Sequence, residues 1–174
     1  MGKVCPSERE TISVVLADAD PLTSALLAAL LNGHRDFEVL AAVGDRNSLL
    51  KRVHEGGADV APVGLDLADG PLSGLTALQT ARELDPQLRL TLLLNLSDRH
   101  LVLKAVRSGA RGIFSRSNFD PARLIQCIQR VREGQIWLNT LELECVLAAR
   151  NQTPDLHVLD AQAFAVELET QRTG

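Results

Sequence analysis

The chain has 174 residues, of which 45% are hydrophobic and 23% are charged, and its formal net charge is −4 at pH 7. A chain of this size can bury one hydrophobic core, and its weak negative charge gives no general attraction to nucleic acid or to an anionic membrane. The three cysteines show no CxxC spacing and the four histidines are scattered, so neither disulfides nor a zinc site is expected. Because the polar opening does not resemble a leader and no long apolar run follows, we expect a cytoplasmic protein.

Short β-branched or leucine-rich runs alternate along the chain with segments of helical spacing. Five such strand-helix pairs with short crossovers predict a parallel sheet that is covered on both faces. The expected fold is therefore α/β, a doubly wound five-stranded sandwich of the flavodoxin-like kind. The predicted strands are ISVVLA (12 to 17), FEVLAAV (37 to 43), ADVAPVG (58 to 64), RLTLLLN (89 to 95) and RGIFS (111 to 115).

Each intervening segment has an apolar stripe that is predicted to face the sheet. In the first helix this stripe ends before Gly33, and comparable stripes end near Gly56, Gly109 and Gly134, where glycine is a natural helix stop. The predicted core stripes are Leu22, Ala25, Leu26, Ala29 and Leu30; Leu49, Leu50 and Val53; Leu75, Leu78 and Ala81; Leu101, Val102 and Ala105; and Leu124, Ile125, Ile128 and Val131.

Three prolines refine these predictions. Asp20-Pro21 and Asp120-Pro121 each predict an N-cap aspartate followed by the first helical residue. Pro62 lies in the middle of the third predicted strand and has no N–H to donate to the sheet. We therefore expect a bulge or an early strand end at that position.

Four motifs occur in a fixed order: VVLADADPL, DLADGPLSGLTAL, KAVRSGARGIFSR and GQIWLN. Together they resemble the response-regulator receiver domain of the NarL/LuxR type, over roughly residues 11 to 140. The resemblance implies a regulatory domain of a two-component system that controls transcription, with a histidine kinase or an output domain as a partner. It also implies a helix-turn-helix that begins after about residue 151, which the sequence does not show.

Receivers of the usual type bind Mg²⁺ through an acidic pair after the first strand and accept a phosphoryl group on an aspartate that ends the third strand. A Thr or Ser after the fourth strand and a Lys after the fifth bind the phosphoryl oxygens. At the matching positions this chain has Asp18 followed by Ala19, then Leu94 with Asn95 beside it, and Arg116 in place of the lysine. The resemblance thus implies a degenerate site, with Asp18 as a weak candidate metal ligand.

The acceptor position has two alternatives. Counting forward from the start of the third strand places it at Gly64, whereas counting back from Gly74 places it at Asp66, so a two-residue insertion separates the counts. Two strand residues span about 6.6 Å, which would put Asp66 outside the pocket. We expect no metal-assisted phosphorylation, no cofactor and no catalysis. The alternatives are a receiver that uses Asp66 as its phosphoacceptor, or one whose vacated pocket binds a small molecule or a partner.

Two surfaces are candidate interfaces. Residues 99 to 132 hold eight Lys or Arg against one acidic residue, a charge of about +7, and the equivalent face of receivers often forms a dimer. The alternative is that these basic residues form a solvated face. The segment NTLELECVLAAR (139 to 150) predicts a sixth helix with apolar residues on two sides, which favours burial against a partner as well as the domain. The interface candidates are Lys104, Arg107, Arg111, Leu141 and Cys145.

The predicted organisation has four parts. Residues 1 to 10 form a flexible N-terminus, residues 11 to 134 the receiver-like domain, residues 135 to 150 the additional helix, and residues 151 to 174 a linker or tail, as a hairpin or a frayed helix. The tail carries a charge of about −3, so we expect no direct binding to nucleic acid. A homodimer and no membrane contact are expected.

Overall fold

The structure is a computed structural model that describes residues 11 to 152. The predictions for residues 1 to 10 and for residues 153 to 174 lie outside the described residues. Within the described range, strands and helices alternate as predicted, and a sixth helix follows. The elements are β1 (Ile12–Ala17), α1 (Pro21–Asn32), β2 (Phe37–Val43), α2 (Arg46–Glu55), β3 (Val60–Gly64), α3 (Ser73–Leu84), β4 (Arg89–Leu94), α4 (Arg99–Arg107), β5 (Ala110–Ser115), α5 (Pro121–Arg132) and α6 (Thr140–Gln152).

The five strands form one parallel sheet in the order β2-β1-β3-β4-β5. Side chains from α1 and α5 form a core on one face, and side chains from α2, α3, α4 and α6 form a second core on the other. Alternate residues of β1 pack into the two cores. Val14 and Leu16 pack against α1 and α5, whereas Val15 and Ala17 pack into the core on the opposite face. A sheet that is covered on both faces explains why apolar residues occupy both sides of its central strands. The predicted α/β doubly wound fold is confirmed.

Pro62 neither bends nor ends β3, so the prediction of a bulge or early end was wrong. It lies in register with Thr91 of β4, and the strand continues to Gly64. Among residues 11 to 152, β3 pairs with β1 at Val60 and Val63, on either side of the proline. Their partners are Val14 and Ala17, so both pairs have the same offset (60 − 14 = 63 − 17) and the register does not slip. The missing N–H interrupts the ladder without displacing the strand.

The predicted core stripe of α1 was wrong as well. Its buried residues are Ser24, Leu27 and Leu31, whereas Leu22 and Leu26 are 68% and 63% exposed. Residues 25 to 31 are all Ala or Leu, so more than one face of this helix is apolar. Periodicity cannot choose between two apolar faces, and the packing of Leu27 and Leu31 against β1 and β2 makes the choice. Both predicted aspartate caps, at the starts of α1 and α5, are confirmed.

The segment between α5 and α6 covers the edge of the sheet. The backbone N–H of Ile113 donates to the Trp137 carbonyl at 2.9 Å, and the Trp137 N–H donates to the Arg111 carbonyl at 2.9 Å. This contact protects β5, which would otherwise be an open edge strand. The chain then enters α6, whose Leu143 and Val146 pack into the core beside α4. No helix within residues 11 to 152 is long and apolar enough to cross a membrane.

Candidate functional site

The candidate pocket lies at the carboxyl edge of the sheet. Asp18 directly follows β1, and Arg116 directly follows β5. Gly64 is the last residue of β3, and Leu94 is the last residue of β4. The strand order reverses between β1 and β3, which is the place where ligands bind in sheets of this kind. The fold therefore brings Asp18 and Arg116 together at the Gly64 end of β3, whereas the predicted site residues Asp66 and Asn95 are exposed.

Asp18 and Arg116 form an ion pair across this edge. Oδ2 of Asp18 lies 2.5 Å from Nη2 of Arg116, and the Asp18 side chain is only 4% exposed. Within residues 11 to 152, no donor is aligned for a hydrogen bond to Oδ2, so the contact is one of charge and proximity. The other oxygen, Oδ1, accepts the Asp20 N–H at 3.0 Å, and the Arg116 N–H donates to the Leu94 carbonyl at 2.7 Å. These backbone contacts fix the position of both charged residues.

Gly64 lies directly behind the ion pair. A Cβ at this position would be 3.0 Å from Nη2 of Arg116 and 3.0 Å from Oδ2 of Asp18. That spacing is tighter than nine in ten contacts of real Cβ atoms. The arginine and the aspartate therefore occupy the space into which a side chain at the end of β3 would project.

Asp66 lies beyond the strand, in the loop before α3. Its side chain is exposed, and its Oδ1 accepts the Leu72 N–H at 2.7 Å. The neighbouring loop is closed by a bridge between Leu67 and Gly70, and the Gly74 N–H returns to the Leu65 carbonyl at 2.8 Å. In this structure the Asp66 carboxylate thus stabilises the loop that leads into α3.

The carboxylates at this edge do not fit a Mg²⁺ ion. Asp20 caps α1, and hydrogen bonds from the Thr23 side chain, the Thr23 N–H and the Leu22 N–H hold the pKa of Asp20 below its usual value. Ala19 supplies no side-chain ligand, and Oδ2 of Asp18 contacts the guanidinium of Arg116. Mg²⁺ requires a near-octahedral set of oxygen ligands. Within the described range, no three His, Cys, Asp or Glu side chains are grouped as metal ligands.

The loop after β4 lacks a hydroxyl at the expected position, but it is connected to α6. Leu94 is fully buried and Asn95 is exposed. Two residues further on, Ser97 donates its hydroxyl to Oε1 of Glu142 at 2.9 Å. Oε2 of the same carboxylate accepts the Asn139 N–H at 2.8 Å, and Oδ1 of Asn139 accepts the Glu142 N–H at 2.9 Å. This is a capping box, and burial raises the pKa of Glu142.

Sequence reasoning missed the role of Glu142, although a signal was present. Asn139 and Glu142 are three residues apart at the start of a predicted helix, which is the spacing of a capping box. The contact with Ser97 joins segments 45 residues apart, and no local pattern predicts it.

The predicted interface residues lie in different environments. Lys104 and Arg107 are exposed on α4, and Arg111 is half-buried on β5. On α6, Leu141 is 73% exposed, whereas Cys145 is half-buried and packs against the core. The structure thus leaves Leu141 on the surface and uses Cys145 partly for packing within the domain.

No protein-family model matches the chain. A protein-glutamate methylesterase/protein-glutamine glutaminase 1 from Paramagnetospirillum magneticum is 30% identical over 103 residues, which cover 58% of this chain. The match spans 26% of the length of that protein, so this chain corresponds to about a quarter of it.

Solved structures of receiver domains share the fold. A LuxR-family two-component response regulator from Aurantimonas sp. superposes with a TM-score of 0.71 at 23% identity, covering 81% of this chain and 99% of the other. The receiver domain of the putative response regulator NarL from Mycobacterium tuberculosis gives 0.67 at 18% identity, with coverages of 72% and 99%. The response regulator domain of Thermotoga maritima CheB gives 0.65 at 17%, with coverages of 71% and 98%. The chain therefore has a receiver fold.

Proposed function

We propose that this chain is a signal-transduction regulatory domain, a pseudo-receiver of a transcriptional response regulator, that works without phosphorylation of its pocket. The observation that carries this proposal is the ion pair of Asp18 and Arg116 in front of Gly64. Phosphoryl transfer depends on positioning an acceptor and on neutralising charge with a metal and cationic clamps. Here Gly64, which ends β3, has no side chain, and the charges of Asp18 and Arg116 beside it neutralise each other.

The proposal has three further parts. The domain needs neither Mg²⁺ nor another cofactor, since Asp18 is paired with Arg116 and Asp20 is committed to the cap of α1. It is not an enzyme, and the matched quarter of the methylesterase gives no ground for assigning it that activity. It acts in the cytoplasm through protein contacts, with a second copy, a histidine kinase or an output domain as the partner.

Two alternative functions would each require the structure to rearrange. A phosphoacceptor at Asp66 would have to give up its bond to the Leu72 N–H and reach back toward the pocket. A small molecule in the pocket would have to displace the Arg116 side chain from Asp18. Both require the loop or the ion pair to rearrange, which is why the phosphorylation-independent function is favoured.

Incubation with acetyl phosphate and Mg²⁺, followed by intact-mass measurement, tests the proposal. We expect an unchanged mass, and we expect the same result for Asp66→Asn. A gain of one phosphoryl group that disappears in Asp66→Asn would support the alternative acceptor. A gain that persists in that variant would reveal an acceptor elsewhere and would also contradict the proposal.

A further inference from the structure

A cavity with a positive lining lies at the edge of the sheet opposite the ion pair of Asp18 and Arg116. Its volume is about 530 Å³, and it opens between the carboxyl ends of α3 and α4 and the amino ends of β4 and β5. These side chains give the cavity, hereafter the arginine cavity, a charge of about +3 in a chain whose formal net charge is −4. Its charged lining among the described residues consists of Arg82, Arg89, Arg107, Arg111 and Glu83.

Three of these arginines have no acidic partner in the described domain. Within residues 11 to 152, no carboxylate oxygen lies within 4.0 Å of a side-chain nitrogen of Arg82, Arg89 or Arg107. Asp59 and Asp85, which lie beside and before the start of β4, accept backbone N–H groups instead. A cavity whose like charges have no counter-charge of their own attracts anions.

Gly109 provides the space that the Arg82 side chain occupies. A Cβ at Gly109 would be 2.5 Å from Cδ of Arg82 and 3.4 Å from its Cβ, so the Arg82 stem lies directly on this glycine. Gly109 also has a φ of +103°, a conformation that favours glycine. The turn between α4 and β5 thus lets the arginine of α3 extend across it.

The helix ends at this edge offset only part of the positive charge. Arg82 and Arg107 lie in the last turns of α3 and α4, and Nη2 of Arg89 is 3.9 Å from the Cβ position of Gly134, just beyond α5. Each helix end carries about half a negative charge from its aligned peptide dipoles, so three ends supply about −1.5. Because the side chains supply about +3, a positive charge remains for an anion from outside.

The chemistry and the size of the cavity favour a diphosphate. Guanidinium groups bind phosphate oxygens through paired N–H donors, so several arginines in one cavity match linked phosphates. Leu88, Val106 and Ala110 are buried side chains that line the same cavity, and they provide an apolar wall for an organic group. A volume of about 530 Å³ lies within the range of about 300 to 1,000 Å³ that is typical of small-molecule sites.

We propose that the arginine cavity binds a small organic molecule that carries a diphosphate group. The proposal goes beyond the proposed function and does not depend on it, because neither Asp18 nor Arg116 lines this cavity.

Isothermal titration calorimetry of the full chain with inorganic pyrophosphate tests the proposal. Pyrophosphate is the first probe because it presents the linked phosphates without an organic group. We expect a dissociation constant below about 1 mM, at least about ten-fold lower than that of orthophosphate at the same ionic strength. ADP adds an organic group that can contact the apolar wall, so it should bind at least as tightly as pyrophosphate.

Two double variants separate a defined site from general attraction to positive charge. In Arg82→Gln, Arg107→Gln the dissociation constant of pyrophosphate should rise at least about ten-fold, because two sets of guanidinium donors are lost. The matched control is Arg99→Gln, Arg123→Gln, which removes the same charge from exposed positions of α4 and α5 and should leave binding unchanged. All four arginines are exposed, and circular-dichroism melting should show that both variants are folded.

The proposal is overturned if pyrophosphate does not bind, if orthophosphate binds as tightly, or if ADP binds more weakly than pyrophosphate. Equal losses in the two double variants would also overturn it, because they would indicate attraction to the overall charge. Tighter binding of a short single-stranded oligonucleotide than of ADP would indicate a nucleic-acid surface and would overturn it as well. Phosphoryl uptake from acetyl phosphate is measured separately by mass, so the failure of one proposal is distinguishable from the failure of the other.

Discussion

Replacing Arg116 tests whether the pocket is held closed by its ion pair. In Arg116→Gln the Asp18 carboxylate, which is only 4% exposed, loses its cation. Removing one partner of a buried pair costs about 3 to 5 kcal/mol. Because the Arg116 side chain is 23% exposed and water can reach the site, we expect a value near the lower end, about 3 kcal/mol. Asp18→Asn should cost less, about 1 to 2 kcal/mol, since its Oδ1 can still accept the Asp20 N–H.

The decisive quantity is the coupling between the two substitutions. Urea unfolding of both single variants and the double variant should give a double variant less destabilised than the sum, by about 2 kcal/mol. The pair of Arg52 and Glu55 on α2, whose side chains are 32% and 42% exposed, provides the control cycle and should couple by about 0.5 kcal/mol or less. Each curve should be the same with and without Mg²⁺. Additive single effects at Asp18 and Arg116, or a wild type stabilised by Mg²⁺, would refute the closed ion pair.

Two further predictions concern the pocket's surroundings. In Gly74→Ala the new Cβ would lie 2.0 Å from the Gly64 carbonyl oxygen, so we expect the free energy of unfolding, measured in urea, to fall by at least about 1 to 3 kcal/mol. In the control Gly44→Ala the nearest atom is 3.7 Å from the new Cβ, so the free energy of unfolding should change little. Equal losses in the two variants would contradict the close approach at Gly74. Burial raises the pKa of Glu142 above its ordinary 4.5, so its contribution to stability is complete below pH 4.5 and is lost as the pH rises through the higher folded-state value. Between pH 4.5 and neutrality the free energy of unfolding should therefore fall less in Glu142→Gln than in the wild type or in the exposed control Glu144→Gln, and parallel curves would contradict the assignment.

The sequence was informative wherever local chemistry determines the structure. Strand runs, glycine stops and the aspartate-proline caps predicted the alternating fold because each signal is contained within a few residues. It failed at α1, where Ala and Leu fill the helix and two apolar faces compete. It also failed at Pro62, because the neighbouring strands hold β3 straight despite the missing N–H.

The candidate site was only partly predictable for a similar reason. The resemblance predicts, position by position, that Ala19, Leu94 and Arg116 replace residues of the usual site, and this stays a prediction. That Gly64 lies behind a direct contact of Asp18 and Arg116 depends on side-chain packing across three strands. The bond between Ser97 and Glu142 likewise joins distant segments, so neither contact has a signature in the sequence.

The claim on which this account depends is that the pocket at the end of β3 does not accept a phosphoryl group. Intact-mass measurement after treatment with acetyl phosphate and Mg²⁺ tests it most directly. We predict one species at the unmodified mass, for the wild type and for Asp66→Asn alike. A wild-type species heavier by one phosphoryl group that depends on Mg²⁺ would contradict it.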